Sequence, residues 1–152
     1  MSTLLRRTRA AAAPPAFKLR KTVMLINGLF LTGMGGAFAL FDLWGYYLGS
    51  GPLGSIMHNL LYTIGFFEAH ALACILGLLL LRARQVDPAP VWHLVGAAIH
   101  LLLGSANLLF WPLAVQWQAE RPEMVVTTIH ALIVIAQLIC LRLSYIHVEE
   151  TS

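Results

Sequence analysis

The chain has 152 residues, of which 59% are hydrophobic and only 11% charged, against about 25% charged in ordinary soluble domains. A soluble domain of this length could not cover so much apolar surface, so the bilayer is the expected solvent and one domain the expected count. The net charge of +3 does not point to nucleic acid, because six of the ten basic residues precede the first apolar run.

Residues 1–21 are polar and basic, and Pro14-Pro15 interrupts any helix there. They read as a disordered cytoplasmic arm whose Arg6, Arg7, Arg9, Lys18, Arg20 and Lys21 meet anionic headgroups. Residues 22–45 form the first apolar stretch. A basic segment precedes it and Ala37-Phe38-Ala39 resembles a cleavage site, but the run outlasts a signal-peptide core. It is therefore read as a membrane helix. Gly28, Thr32, Gly35, Gly36 and Ala39 follow helical spacing and form its packing face.

Asp42, Trp44, Tyr46 and Tyr47 read as an interfacial belt, followed by a Gly49-Ser50-Gly51-Pro52 loop. The remaining stretches are 56–81, 90–111 and 124–143, with Asp87-Pro88 in the second loop and Glu120, Arg121 and Pro122 in the third. Residues 147–152 form a short tail. Each stretch can cross a hydrocarbon core of ~30 Å at ~1.5 Å per residue. Nine of the ten basic residues fall in the arm, at Arg82 and Arg84, or at Arg142. The positive-inside rule then puts both termini in the cytoplasm. The expected fold is all-α: an integral membrane, up-down-up-down four-helix bundle over 22–146, in a bacterial inner membrane.

Three histidines, His70, His100 and His130, sit inside the last three stretches. Counted from Arg82, Val91 and Arg142, they lie ~18, ~14 and ~18 Å deep, in one layer near the midplane. Their helices carry polar and small stripes: Thr63, His70, Cys74 and Gly77; then His93, Ala97, His100, Gly104, Asn107 and Trp111; then Thr127, His130, Val134, Gln137 and Ser144. Such stripes normally face other helices or a cavity, and an intramembrane ionisable group is a functional hypothesis by default.

Glu68 flanks a ridge of Gly65, Ala69, Ala73 and Gly77. If that ridge faces the bundle centre, Glu68 leans inward near Asn107 and Thr127. The expected site therefore combines Glu68, as proton carrier or extra ligand, with His70, His100, His130 and Asn107, open towards the outer leaflet. Three chemistries fit. The three imidazoles could hold iron, copper or zinc. Two of them could hold a b-type haem. Glu68 and a histidine could exchange protons with a lipophilic substrate such as a quinone. The rival reading is a non-catalytic membrane subunit or assembly factor whose buried polar groups only fix helix packing. Expected partners are lipid, a lipophilic small molecule and other membrane subunits.

The other histidines, His58, His93 and His147, read as interfacial or solvated, so a module with two stacked haems is disfavoured. Asn27 and Gln137 read as interhelical hydrogen bonders. Trp92, Trp111 and Trp117 read as belt residues. Cys74 and Cys140 read as small apolar core residues, with no CxxC spacing for a thiolate site.

The run Gly65-Phe66-Phe67-Glu68, continuing into Ile75-Leu76-Gly77-Leu78-Leu79-Leu80, resembles the DoxX-like group of small four-helix membrane proteins. In that group a Glu on the second helix precedes a Gly/Leu-rich run, and members have been linked to quinone-coupled oxidation. The resemblance covers the first half of the chain; it carries over no activity and adds a little weight to the redox readings. The histidines of the third and fourth stretches lie outside it.

Overall fold

The computed structural model describes residues 15–86 and 89–149, with side chains to Tyr145. The arm residues 1–14, Asp87-Pro88, the His147 side chain and the end of the tail lie outside the described residues. Four long helices dominate: α1 (Pro15–Leu48), α3 (Thr63–Val86), α4 (Pro90–Leu109) and α6 (Glu120–Glu149), with short α2 (Gly54–Met57) and α5 (Trp111–Gln116). All four long helices are long and apolar enough to cross a membrane.

The distribution of side chains is inverted relative to a soluble domain. Asn27, Asp42, His93, His100, His130 and Gln137 are buried, while Leu40, Leu61, Leu72, Leu102 and Ile135 point outward. Outward leucines around an inward polar set are what a lipid solvent selects. The apolar core is small: Met24, Leu31, Leu80 and Ala83, with Phe30, Trp92, Ile99 and Leu103 packed against it.

The expected helix boundaries shift for identifiable reasons. Residues 15–21, read as part of the arm, are helical and belong to α1. The stretch expected from residue 56 is broken. Asn59 adopts a left-handed backbone (φ 55°), and Thr63 Oγ1 donates to the Met57 carbonyl 3.1 Å away, so α3 starts only at Thr63. The third stretch, expected as far as Trp111, stops at Leu109. Pro112 would clash with the carbonyl four residues back, so a continuous helix is excluded and α5 starts anew. Helix α6 starts earlier than expected because Pro122 sits within its first turn.

Helix α1 packs chiefly on α3, and α4 chiefly on α6, with α1 also touching α6 and α4. The α1–α3 contact is backbone to backbone. A Cβ on Gly35 would stand 2.6 Å from both the Cys74 nitrogen and the His70 carbonyl oxygen, and one on Gly77 would stand 2.5 Å from the Thr32 nitrogen. Glycine is required at both places. The α4–α6 contact runs instead through polar side chains. A Cβ on Gly96 would meet the amides of Gln137 and Asn27, and one on Gly104 would meet His130 Cβ. Paired residues on α1–α3 and on α4–α6 run antiparallel. Lys18, Arg20, Lys21, Arg82, Arg84 and Arg142 collect at one end, called the basic end below, and Trp44, Tyr46, Tyr47, Tyr62 and Trp117 at the opposite, aromatic end.

Candidate functional site

The three histidines expected in one layer occupy two places. His100 and His130 lie between α4 and α6 and both face Phe30 of α1, with ring centroids 5.9 and 6.1 Å away. His70 faces Phe38 of α1, at 5.2 Å. Phe30 and Phe38 are eight residues apart on α1, so His70 sits nearer the aromatic end by roughly 7–12 Å. His70 lies outside the expected layer because Arg82 and Arg142, the ends from which its depth and that of His130 are counted, are not level. A Cβ on Gly28 meets Leu81, whereas a Cβ on Gly96 meets both Asn27 and Gln137. Arg82 is therefore roughly level with Asn27 and Gln137, about 7.5 Å closer to the centre than Arg142. Long basic side chains reach the interface from different heights, so they mark it loosely.

Among the described residues, no group of three or more His, Cys, Asp or Glu side chains comes together to hold a metal. Glu68 is exposed on the outer face of α3. Gly65 and Ala69 are exposed with it, and nothing lies within 4 Å of a Cβ on Gly65. The ridge expected to face the bundle centre therefore faces outward at this end, and Glu68 meets neither histidine group. Asn107 donates to Thr127 Oγ1 at 3.1 Å, joining α4 to α6 two turns beyond His100. It is an interhelical clasp rather than part of either group.

The first group is a carboxylate–imidazole pair. His70 Nδ1 lies 2.7 Å from Asp42 Oδ2. An ionised carboxylate only accepts, so Nδ1–H donates and Nε2 is left as the ring's other functional edge. The Asp42 side chain is 0% exposed while that of His70 is 30% exposed. Asp42 Oδ1 is buried with no hydrogen-bond partner among the described residues. Phe38 and Phe66 flank the imidazole with ring centroids at 5.2 and 6.5 Å, both within about 35° of parallel. Phe66 continues to Trp117 at 5.9 Å, and Tyr62 stacks on Trp117 at 6.5 Å. An aromatic file thus leads from the end of the bundle to a histidine that is 30% exposed.

The second group is a buried chain without a carboxylate. His100 Nε2 and Asn27 Oδ1 are 2.7 Å apart, and His100 Nδ1 and His130 Nδ1 are 2.7 Å apart. Nearer the basic end, His93 Nδ1 and Gln137 Oε1 are 2.6 Å apart, and Arg20 Nε donates to His93 Nε2 at 3.5 Å. Arginine only donates, so Nε2 of His93 accepts and its Nδ1–H donates to Gln137. The same logic makes His100 Nε2–H donate to Asn27. Its Nδ1 lone pair then faces His130. The amide nitrogens of Asn27 and Gln137 are buried without hydrogen-bond partners among the described residues.

His93, read as interfacial, is fully buried, and Asp42, read as a belt residue, is the partner of His70. The signal for Asp42 lies in its spacing. Met24, Gly28, Leu31, Gly35, Asp42 and Gly45 recur at three, four and seven residues, and all are buried. A carboxylate on that stripe belongs to the packing face, not to the belt. Asn27 and Gln137 are interhelical hydrogen bonders, as expected. Compared with family models, curated proteins and solved structures, the chain finds no match. The functional reading therefore rests on the two side-chain groups.

Proposed function

We propose that this integral membrane protein binds a lipophilic, redox-active substrate of the quinone class at the Asp42–His70 pair and exchanges a proton with it there. The observation that carries this reading is a fully buried carboxylate bonded at 2.7 Å to a histidine that is 30% exposed. A charge-paired, ionisable group reached from the lipid side is costly to keep without a use. Nε2 of His70 meets a ligand edge-on. It accepts the hydroxyl proton of a quinol, giving quinolate and imidazolium, and Asp42 stabilises that imidazolium. Phe66, Trp117 and Tyr62 offer a planar ring an apolar route from the aromatic end. In this reading the basic end is cytoplasmic, as the positive-inside rule suggests, and the membrane is a bacterial inner membrane. Membership of the DoxX-like group, carried by residues 65–80, belongs to the same proposal and favours the quinone form over the haem form.

A second reading is favoured by one observation on α4 and α6. There His93, His100 and His130 spend their hydrogen bonds on one another, on Asn27 and on Gln137, which is what a group that fixes helix packing would do. A structural role for those three is compatible with a binding role for His70.

The test is quenching of tryptophan fluorescence by a short-chain benzoquinone in detergent-purified protein, with Trp117→Phe marking the reporting residue. The expected result is saturable quenching lost in His70→Phe and retained in His100→Asn. Saturable quenching unchanged in His70→Phe would overturn the proposal.

A further inference from the structure

We infer that His100 and His130 form a two-coordinate site for a soft monovalent cation, copper(I) being the physiological candidate. This goes beyond the quinone reading and does not rest on it. The two imidazoles come from different helices and present Nδ1 to Nδ1 at 2.7 Å. One hydrogen bond uses a single proton there, so the pair is two nitrogen lone pairs aimed at one point with one proton between them.

The surroundings suit a metal in that position. His100 Nε2–H donates to Asn27 Oδ1 at 2.7 Å. Metal-binding histidines ordinarily give their second N–H to an oxygen in this way, which fixes the tautomer and aims the other nitrogen. His130 Nε2 makes no hydrogen bond among the described residues, so the proton now on its Nδ1 can move there and leave both Nδ1 atoms bare. Phe30 stands beside both rings, with centroids at 5.9 and 6.1 Å. A groove of about 300 Å³ between α4 and α6, lined by Gly104, Ser105 and Thr127 among others, borders His100.

The same geometry selects the ion. Two metal–nitrogen bonds of ~2.0 Å require the nitrogens to separate to ~4 Å, a modest opening between two helices. Copper(I) and silver(I), with filled d shells, accept two ligands in a line. Zinc wants four, and no third His, Cys, Asp or Glu joins the pair among the described residues. Without a carboxylate beside it, the pair matches one positive charge better than two. His70 is excluded from the site because it faces Phe38 and pairs with Asp42, not Phe30.

Silver(I) is the air-stable probe. It is titrated into detergent-purified protein carrying Cys74→Ala and Cys140→Ala, and its first shell is read by X-ray absorption, which needs no histidine variant. The expected result is one silver per chain with two nitrogen neighbours and no sulfur. That silver is lost in His130→Ala and kept in His70→Phe. Asn27→Leu keeps the stoichiometry and weakens affinity tenfold to a hundredfold. Absence of binding, sulfur in the first shell, retention in His130→Ala, or zinc(II) bound as tightly as silver would each overturn the inference.

Discussion

The two tightly packed helix pairs solve the same problem in opposite ways. Helices α1 and α3 meet through glycine, with Gly35 against the backbone at Cys74 and Gly77 against that at Thr32. Helices α4 and α6 meet through polar side chains, chiefly His93 with Gln137 and His100 with His130. Backbone contact needs no polar glue, because close approach supplies dispersion along the whole seam. The Asp42–His70 pair on that seam is therefore surplus to what holds the helices together. The histidines of α4 and α6 are the reverse: without them the seam would lose its main interhelical bonds. Where packing is already secured, a buried charge pair points to binding. Where polar groups are themselves the packing, their presence alone does not.

The sharpest way to break this comparison is to fill the glycine seam. Gly35→Ala places a methyl 2.6 Å from two backbone atoms that cannot yield, so it is expected to cost about 1–3 kcal/mol or more. It should also displace His70, measurable as lowered thermal stability together with lost quinone-analogue binding. Gly104→Ala meets only His130 Cβ, at 3.2 Å, and should be clearly milder. If the two substitutions prove equally damaging, the distinction between the seams fails.

Asn27→Leu removes the acceptor of His100 Nε2–H from a fully buried site. Leaving that donor unpaired is expected to cost about 1–3 kcal/mol, read as a drop in unfolding midpoint, with quinone-analogue affinity unchanged. Asp42→Asn keeps an oxygen for His70 Nδ1–H but removes the charge that stabilises imidazolium. Affinity for a quinol analogue should fall about tenfold, or roughly 1.4 kcal/mol, while the helical content stays intact. An Asp42→Asn protein that binds the analogue as tightly as the parent would remove Asp42 from the site. The smallest effect is expected at Glu68. Glu68→Gln should leave binding of the same analogue within about twofold, because the carboxylate lies on the outer face of α3, away from His70's paired edge.

Much of the architecture was legible in the sequence, because hydropathy and the 3.6-residue repeat act over whole helices. The stripes on α4 and α6 were readable for the same reason, and His93, His100, His130, Gln137 and Ser144 are buried where the repeat puts them. What the sequence hid was relative height. A helix carries no mark of how far it slides along its neighbour. The slide of α3 on α1 is decided by which glycines meet, Gly28 and Gly35 against Leu81, Gly77 and Cys74. That slide separates His70 from the other two histidines and joins it to Asp42. Rotation was the second hidden quantity. Gly65 and Ala69 look like a packing ridge, yet α3 presents His70, Gly77 and Leu80 to its neighbours and leaves Glu68 outside. A carboxylate in an apolar helix attracts attention whichever way it points, and here the informative one was Asp42.

The central claim is that His70 is a ligand-accessible histidine and that His100 and His130 are not reached by the same ligand. The most direct measurement is the nitrogen-15 imidazole spectrum of the protein in lipid nanodiscs, titrated with a short-chain benzoquinol. The account predicts a saturable shift confined to His70 Nε2, with the His100 and His130 resonances unmoved. Shifts at His100 or His130 with His70 unchanged would contradict it.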